Sequence, residues 1–333
     1  MPFLHPGIGV PGTPPPLSPT DPLQYAGQPS PDNGLRITEC PLCESAATPH
    51  KVLAVDAYVL RSCPACSFTW SARAIDDCHS SADYSDYGDG YLANQTIERI
   101  KFWIKLTFFR RREFNLIRSA ETGGKVRLLD IGAGAGFFVA NCRSRGIEAY
   151  GVEPSARLRD FALRVFSLEL FPSIEALNNV PGLRPFDVIT SHDVIEHIAA
   201  NYLPSYLTAI HGHLRDGGYF LGNTPNLDSL NLRWNGARDP VISPPHHCVY
   251  FSCDTLDRCL TRYGFAKHML LTSGLSAFFL PTNGTPLIAK ASIVLQKAFF
   301  NSLWPLMSIF NPRNGYQIFF AFRKTAQRGA SAS

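Results

Sequence analysis

Apolar runs that alternate with amphipathic segments predict an α/β domain in the C-terminal two thirds of the chain. Runs of strand length occupy residues 127–131, 148–153, 168–171, 186–190 and 218–222, with helical patterns between them. Such alternation is typical of a parallel sheet with helices on both faces. Two last runs, 268–272 and 317–322, are expected to pair antiparallel at one edge. The pattern therefore predicts a doubly wound, seven-stranded, mostly parallel sheet of Rossmann-like type.

The sequence before residue 123 divides into parts of different character. Residues 1–36 are crowded with proline and glycine and predict a disordered tail; a second tail is expected at 327–333. Residues 37–75 carry two cysteine pairs, and residues 76–122 form a helical connector with an amphipathic pattern at 96–119. Tyr84, Tyr87 and Tyr91 precede that pattern and either pack in a core or close over a ligand. The α/β domain itself is expected at 123–326.

Charge and composition narrow the class of function. The 333 residues carry a net charge of +4 and are 45% hydrophobic, which is enough for a large core. A nucleic-acid binder of this size usually has a stronger basic bias, so nucleic acid is not the favoured partner. The first residues lack the basic and apolar segments of a signal peptide, and we therefore expect a cytoplasmic protein.

An apolar stretch at 286–310 raises the question of membrane contact. Lys290, Lys297, Asn301 and Pro305 interrupt it, whereas a spanning helix needs about twenty predominantly apolar residues. We expect no transmembrane span. An amphipathic helix that covers the sheet or a substrate cavity is favoured, and peripheral membrane contact or dimer contact is the alternative. The oligomeric state stays open.

Two Cys-x-x-Cys pairs, Cys40 with Cys43 and Cys63 with Cys66, have the spacing of a zinc ribbon. Each pair predicts a tight turn that directs two thiolates to one point, and residues 51–60 are expected to form a strand pair between the turns. Four thiolates complete a tetrahedron, so the site is predicted to be structural. Iron, or four unrelated buried thiols, are the alternatives. Glycine often follows the second cysteine of such a turn, but this chain has Glu44 and Ser67 there.

A glycine-rich loop follows the first strand of the α/β domain. Asp130 ends an apolar run, and Gly132, Gly134 and Gly136 follow at alternate positions before an amphipathic segment. This order predicts a strand, a tight loop and a helix N-terminus, which form a nucleoside-binding corner. The third glycine comes one residue earlier than in the loop of dinucleotide folds. A carboxylate at the strand end would attract a cationic ligand such as S-adenosylmethionine (SAM).

Glu153 closes the second strand, where an acid can accept hydrogen bonds from both ribose hydroxyls of a nucleoside. With this acid, residues 126–324 resemble the class I SAM-dependent methyltransferases. The matching segments are Asp-x-Gly-x-Gly-x-Gly at 130–136, Gly-Val-Glu-Pro-Ser at 151–155, residues 186–198, and Leu-Arg-Asp-Gly-Gly-Tyr-Phe at 214–220. The resemblance implies that the glycine loop with Asp130 holds the methionine end of SAM and that Glu153 holds the ribose.

The end of the fourth strand supplies further expected contacts. The resemblance implies that His192 and Asp193 face the methionine portion and the methyl acceptor. Glu196 and His197 follow, and a structural role near a helix start explains them as well as a chemical role does. Adenine recognition stays open, with Phe171 and Ser173 as candidates.

The acceptor side of the predicted site comes after the fifth strand. Methyl transfer is an in-line displacement that often requires removal of a proton, and imidazole suits that task near neutral pH. His246 and His247 are therefore the predicted catalytic residues; a loop that merely packs is the alternative. Asn223 is expected to line the same pocket. The combination of a zinc ribbon with this type of domain resembles bacterial methyltransferases of sugar-nucleotide pathways, sugar C-methyltransferases among them. This resemblance implies that Tyr87 and Tyr91 also face the substrate.

The sequence as a whole predicts methyl transfer from SAM to a small molecule, with a sugar nucleotide or glycan precursor favoured and a structural zinc ion in the ribbon. One alternative is a zinc-ribbon methyltransferase that binds and modifies RNA. Only Lys51, Arg61 and Arg73 supply positive charge near the ribbon, which disfavours that alternative. The other is a SAM-binding protein without catalysis.

Overall fold

The computed structural model describes residues 40–45, 49–55, 58–71, 111–121, 123–180, 182–183, 185–244, 246–274 and 312–325. All of them belong to one unit of the chain, Gly34–Ser333. Several predicted features lie outside the described residues. They are both tails, Tyr84, Tyr87 and Tyr91, the part of the predicted helix before residue 111, and the apolar stretch at 286–310.

Ten strands are described, and most coincide with the apolar runs of the sequence. In chain order they are β1 (His50–Val55), β2 (Tyr58–Ser62), β3 (Thr69–Ser71), β4 (Arg127–Ile131), β5 (Glu148–Val152), β6 (Phe186–His192), β7 (Leu214–Pro225), β8 (Val249–Tyr250), β9 (Phe265–Ser273) and β10 (Gln317–Lys324).

The described α-helices lie mostly between the strands of the α/β domain. They are α1 (Arg111–Ser119), α2 (Phe137–Ser144), α3 (Ala156–Phe166), α4 (Leu203–His213), α5 (Leu230–Asn235) and α6 (Cys253–Arg262), with 3₁₀ turns at Glu175–Asn179, Ile195–His197 and Gly236–Arg238. Ser155 caps α3 by accepting a hydrogen bond from the Leu158 amide, and Ser252 with Thr255 forms a reciprocal capping box at the start of α6.

The main sheet has the predicted α/β topology. Its six described strands lie in the order β5-β4-β6-β7-β10-β9. β5, β4, β6 and β7 are parallel, and β10 pairs antiparallel with both β7 and β9. Phe171, in the remaining predicted strand, forms an isolated parallel bridge with Val152 beside β5. The Rossmann-like fold and the antiparallel pairing of the last two strands are therefore confirmed.

The ribbon strands form a second, antiparallel sheet in the order β1-β2-β3-β8. The strand pair expected at 51–60 is present, but the sheet also takes in β8, which lies beyond β7 in the sequence. Phe68 stacks on Trp70 with ring centroids 5.8 Å apart and packs against Phe251 at 5.5 Å. All three side chains belong to the core that covers one face of the main sheet. The cysteine turns and the α/β domain thus share apolar packing as well as a sheet.

No helix in the described part of the chain is long and apolar enough to cross a membrane.

Candidate functional site

The glycine loop joins β4 to α2 at the carboxyl end of the parallel strands. Gly132, Gly134 and Gly136 all have positive φ, at 73°, 54° and 79°. A Cβ at Gly132 would lie 2.3 Å from a methyl carbon of Val194, whereas nothing lies within 4 Å of a Cβ placed at Gly134. Gly132 is therefore required for packing, while Gly134 faces open space where a ligand can approach the backbone.

Glu153 ties the glycine loop to the next helix. Its Oε2 accepts a hydrogen bond from the Gly134 amide at 2.8 Å, and its Oε1 accepts one from the Ser155 amide at 2.8 Å. Burial raises the pKa of Glu153, and these two amide bonds oppose that shift. An ionised carboxylate has about four acceptor sites, so two stay available for the ribose hydroxyls predicted to bind here.

Asp130 lies one strand away from Glu153, in β4. The residue is buried, and its Oδ1 accepts a hydrogen bond of 2.7 Å from the Thr190 hydroxyl in the neighbouring strand β6. The next residue of β6, Ser191, shares a hydrogen bond of 2.8 Å with the hydroxyl of Tyr206. Burial raises the pKa of Tyr206, and the negative charges of Glu196 and Asp130 raise it further. Asp130 thus belongs to a buried polar group beneath the strand ends.

His192 and Asp193, which the resemblance predicts to face SAM, have different contacts at the end of β6. Nε2 of His192 lies 2.6 Å from Oε1 of Glu113 on α1, and its ring packs against Phe138. Asp193 has a positive φ of 54°, which is unusual for a residue with a side chain. Its Oδ1 accepts hydrogen bonds from the amides of Asn223 at 2.5 Å and Gln317 at 2.9 Å. The Asn223 side chain is buried, and its contact at the strand end is this hydrogen bond to Asp193.

The two predicted catalytic histidines have different surroundings. His246 is exposed, and its carbonyl oxygen accepts a hydrogen bond of 2.7 Å from Nδ1 of His197. His247 is half-buried, and its own Nδ1 donates to the Val241 carbonyl at 2.7 Å. The rings of His197 and His247 meet edge to face at 4.9 Å, and burial lowers the pKa of His247.

Glu196, for which the sequence left a structural and a chemical role open, lies next to these rings. It is 2% exposed, and its Oε2 accepts a hydrogen bond of 3.0 Å from the Thr224 hydroxyl. Burial raises its pKa well above the usual range, and the charge of Asp193 adds to this. Ligand atoms of Glu196, His197 and His247 lie within 4.8 Å of one another. The signal that could have found this group is that Glu196 and His197 follow β6 while His247 follows β7, because neighbouring parallel strands end at one edge.

The four predicted metal ligands of the ribbon converge on one point. Sγ atoms of Cys40, Cys43, Cys63 and Cys66 all lie within 4.8 Å of one another, with 3.5 Å between Cys40 and Cys66 and 3.6 Å between Cys43 and Cys63. Sulfur atoms bound tetrahedrally to zinc at about 2.3 Å lie about 3.8 Å apart. The spacing and the chemistry of this donor set therefore fit one tetrahedral ion.

The sheet order, the glycine loop and the acid after β5 define a class I SAM-dependent methyltransferase. Residues 89–269, more than half of the chain, match the family model described as Methyltransferase domain, and the chain belongs to that family. No curated protein matches the chain.

Solved structures of other methyltransferases have a similar fold at low sequence identity. One is a SAM-dependent methyltransferase from Archaeoglobus fulgidus, with 21% identity and a TM-score of 0.43, covering 65% of this chain and 91% of that one. Another, from Mesorhizobium loti, has 16% identity and a TM-score of 0.41, covering 64% and 97%. A phosphoethanolamine N-methyltransferase of Haemonchus contortus has 19% identity and a TM-score of 0.45, covering 78% and 62%.

Proposed function

We propose that this SAM-dependent methyltransferase acts on a small molecule, with a sugar nucleotide or glycan precursor as the favoured acceptor. The observation that carries the SAM half of the proposal is the hydrogen bond between the Gly134 amide and the Glu153 carboxylate. It brings the loop and the acid together at the edge of the sheet where α/β folds bind ligands. SAM supplies a methyl group that its sulfonium activates for displacement.

In this proposal, different residues at this edge bind different parts of SAM. Glu153 accepts the ribose hydroxyls through its remaining lone pairs, and the open space at Gly134 admits the methionine end. Asp130 and Asp193 place negative charge near the cationic amino acid portion. Gly132, Gly136 and His192 complete the proposed set by shaping the loop and the strand end beside it.

The acceptor lies, in this proposal, against the ends of β6 and β7. Asp193, Gln317 and His247 supply carboxylate, amide and imidazole groups there, which suit an acceptor rich in hydroxyl groups. Of the two predicted catalytic residues, half-buried His247 has the stronger support, while exposed His246 acts through its carbonyl bond to His197. Tyr87 and Tyr91 stay predictions from the resemblance.

The cysteine cluster is proposed to hold one structural zinc ion. Four thiolates leave no open position for a substrate, so the ion would stabilise the ribbon and take no part in methyl transfer. Metal binding would offset the small core that some forty residues can make alone.

Labelled SAM tests the proposed acceptor class directly. The full chain is incubated with SAM carrying a deuterated methyl group and a cell extract separated into small-molecule, RNA and protein fractions, and mass spectrometry follows the label. We expect label in the small-molecule fraction, among nucleotide-linked sugars. Label confined to RNA would overturn the small-molecule proposal and favour the RNA alternative, especially with a salt-sensitive mobility shift on mixed RNA. The Glu153→Ala variant serves as the control for background transfer.

A further inference from the structure

We propose that Glu196, His197 and His247 bind a divalent first-row cation at the acceptor side of the site, separate from the cysteine cluster. A carboxylate and two imidazoles with open positions form a set that binds such ions in many proteins. Adjacent ligands of an ion bound at about 2.1 Å lie about 3.0 to 3.4 Å apart. The ligand atoms here already lie within 4.8 Å of one another, so small side-chain rotations would close the set on an ion.

The outer contacts of the two histidines orient them for this role. Nδ1 of His197 donates to the His246 carbonyl, and Nδ1 of His247 donates to the Val241 carbonyl, both at 2.7 Å. A metal-binding histidine usually donates its other ring N–H to a carbonyl or carboxylate, which fixes the tautomer and the ring orientation. Nε2 is therefore the atom that each ring offers to an ion.

The burial of Glu196 gives the second reason. Glu196 is 2% exposed, so its carboxylate is removed from solvent. Buried charges in proteins are usually paired or coordinate a metal. One Glu196 oxygen is held by Thr224, and the backbone carbonyl of Glu196 accepts a bond of 2.7 Å from the Cys248 amide. The loop that carries His247 is thus fastened onto the turn that carries Glu196 and His197.

The role of the cation rests on the proposed methyl transfer. A cation at this place also restricts the class of molecule that can accept the methyl group. When the ion takes five or six ligands, the three protein ligands leave positions for two oxygen atoms of the acceptor, so the site would select a molecule with adjacent oxygens, such as a vicinal diol. The cation lowers the pKa of a bound hydroxyl, whose proton passes to solvent, so His247 acts here as a ligand of the cation and not as a base. The oxygen then attacks the methyl carbon in line: an O–C bond forms, the C–S bond breaks, and its electron pair leaves with S-adenosylhomocysteine.

Manganese binding tests the site without any acceptor. Mn²⁺ is titrated into the dialysed full chain and followed by electron paramagnetic resonance, with pulsed measurements to detect imidazole nitrogen. Mn²⁺ is the useful probe because thiolates are poor ligands for it, so the cysteine cluster should not compete. We expect one bound ion per chain with nitrogen coupling from two imidazoles.

Substitutions then assign the ligands. Glu196→Gln keeps the shape of the side chain, and His247→Asn keeps a donor for the Val241 carbonyl; each should weaken Mn²⁺ binding by more than about 100-fold. His268→Asn, at an exposed histidine of β9 far along the sheet, should bind like the parent chain. Circular dichroism and SAM calorimetry on every variant show whether it is folded.

Three results would overturn the cation site: no Mn²⁺ binding by the parent chain, bound Mn²⁺ without nitrogen coupling, or equal binding in Glu196→Gln. SAM calorimetry separates this outcome from failure of the proposed function. If the chain binds SAM and transfers label but takes up no Mn²⁺, the proposed function stands and the cation site is wrong. If it takes up Mn²⁺ but binds no SAM, the cation site stands and the proposed function is wrong.

Discussion

Glu153 combines two roles in one carboxylate. Its two oxygens hold the amides of Gly134 and Ser155, and the same oxygens are proposed to receive the ribose. The amide bonds hold the acid in place before any ligand arrives, so little ordering is required when the nucleoside binds. The residue therefore supports the loop and recognises the ligand with the same atoms.

Replacing Glu153 by alanine should weaken SAM binding by at least about 100-fold, since a hydrogen bond to a charged group contributes about 1.5–3 kcal/mol and two ribose bonds are lost. Calorimetry with SAM measures this. Glu148→Ala is the matched control, because Glu148 begins β5, the strand that Glu153 follows, and lies at the opposite end of it. The ribose assignment fails if Glu153→Ala binds SAM normally or if both variants lose affinity equally.

The two cysteine turns have the same backbone hydrogen bonds. The Glu44 amide donates to the Cys40 carbonyl and the Ser67 amide to the Cys63 carbonyl, each at 2.8 Å. Glu44 and Ser67 have φ values of 56° and 62°, in the left-handed region that glycine adopts without cost. The absence of glycine at these two positions leaves both turns slightly strained but does not alter where the thiolates point.

Ser67→Gly should stabilise the chain by about 0.5–1 kcal/mol, because relief of the left-handed strain exceeds the entropy cost of glycine in the unfolded chain. Ser67 is exposed, so the substitution removes little packing. Urea unfolding of the metal-loaded chain measures the change. Ser71→Gly, in extended strand β3, is the control and should destabilise. A loss of stability in Ser67→Gly would contradict the expectation.

A short strand pair connects the ribbon that carries the cysteine turns with the proposed acceptor side. β3 pairs with β8, with Trp70 opposite Val249, and the Ser71 amide donates to the Cys248 carbonyl at 2.9 Å. His247 directly precedes this pairing. Loss of the ribbon strands would therefore remove hydrogen bonds from the backbone next to His247, although the proposed zinc ion is not part of the reaction.

Removal of metal by a chelator should reduce protection from hydrogen exchange in the ribbon strands and in the segment that follows His247. Hydrogen exchange with mass spectrometry is expected to show faster exchange in β2 and β3 and also at residues 247–251, while β4 keeps its protection. Readdition of zinc should restore both. Exchange that changes only in residues 40–71 would show that the ribbon opens alone and does not order the His247 loop.

The sequence predicted those features that depend on local pattern. β4 begins and ends at the predicted residues because its apolar side chains are buried on both faces of the sheet, Leu128 on one and Leu129 with Ile131 on the other. The glycine loop and the cysteine turns follow from the spacing of their residues. The order of the strands could place His247, Glu196 and His197 at one edge of the sheet, but their contact depends on the path of the chain between β7 and β8, which no local pattern predicts. β8 itself has two residues, too few for any periodicity.

The addition of β8 to the ribbon sheet also bears on how the chain can be divided. A fragment that starts after the ribbon would leave β8 as an unpaired edge and uncover Phe251, which now packs against Phe68. Bare edges and apolar patches promote association between copies. The catalytic domain should therefore need its N-terminal neighbour to stay monodisperse, and fragments for crystallisation or engineering should begin before Cys40.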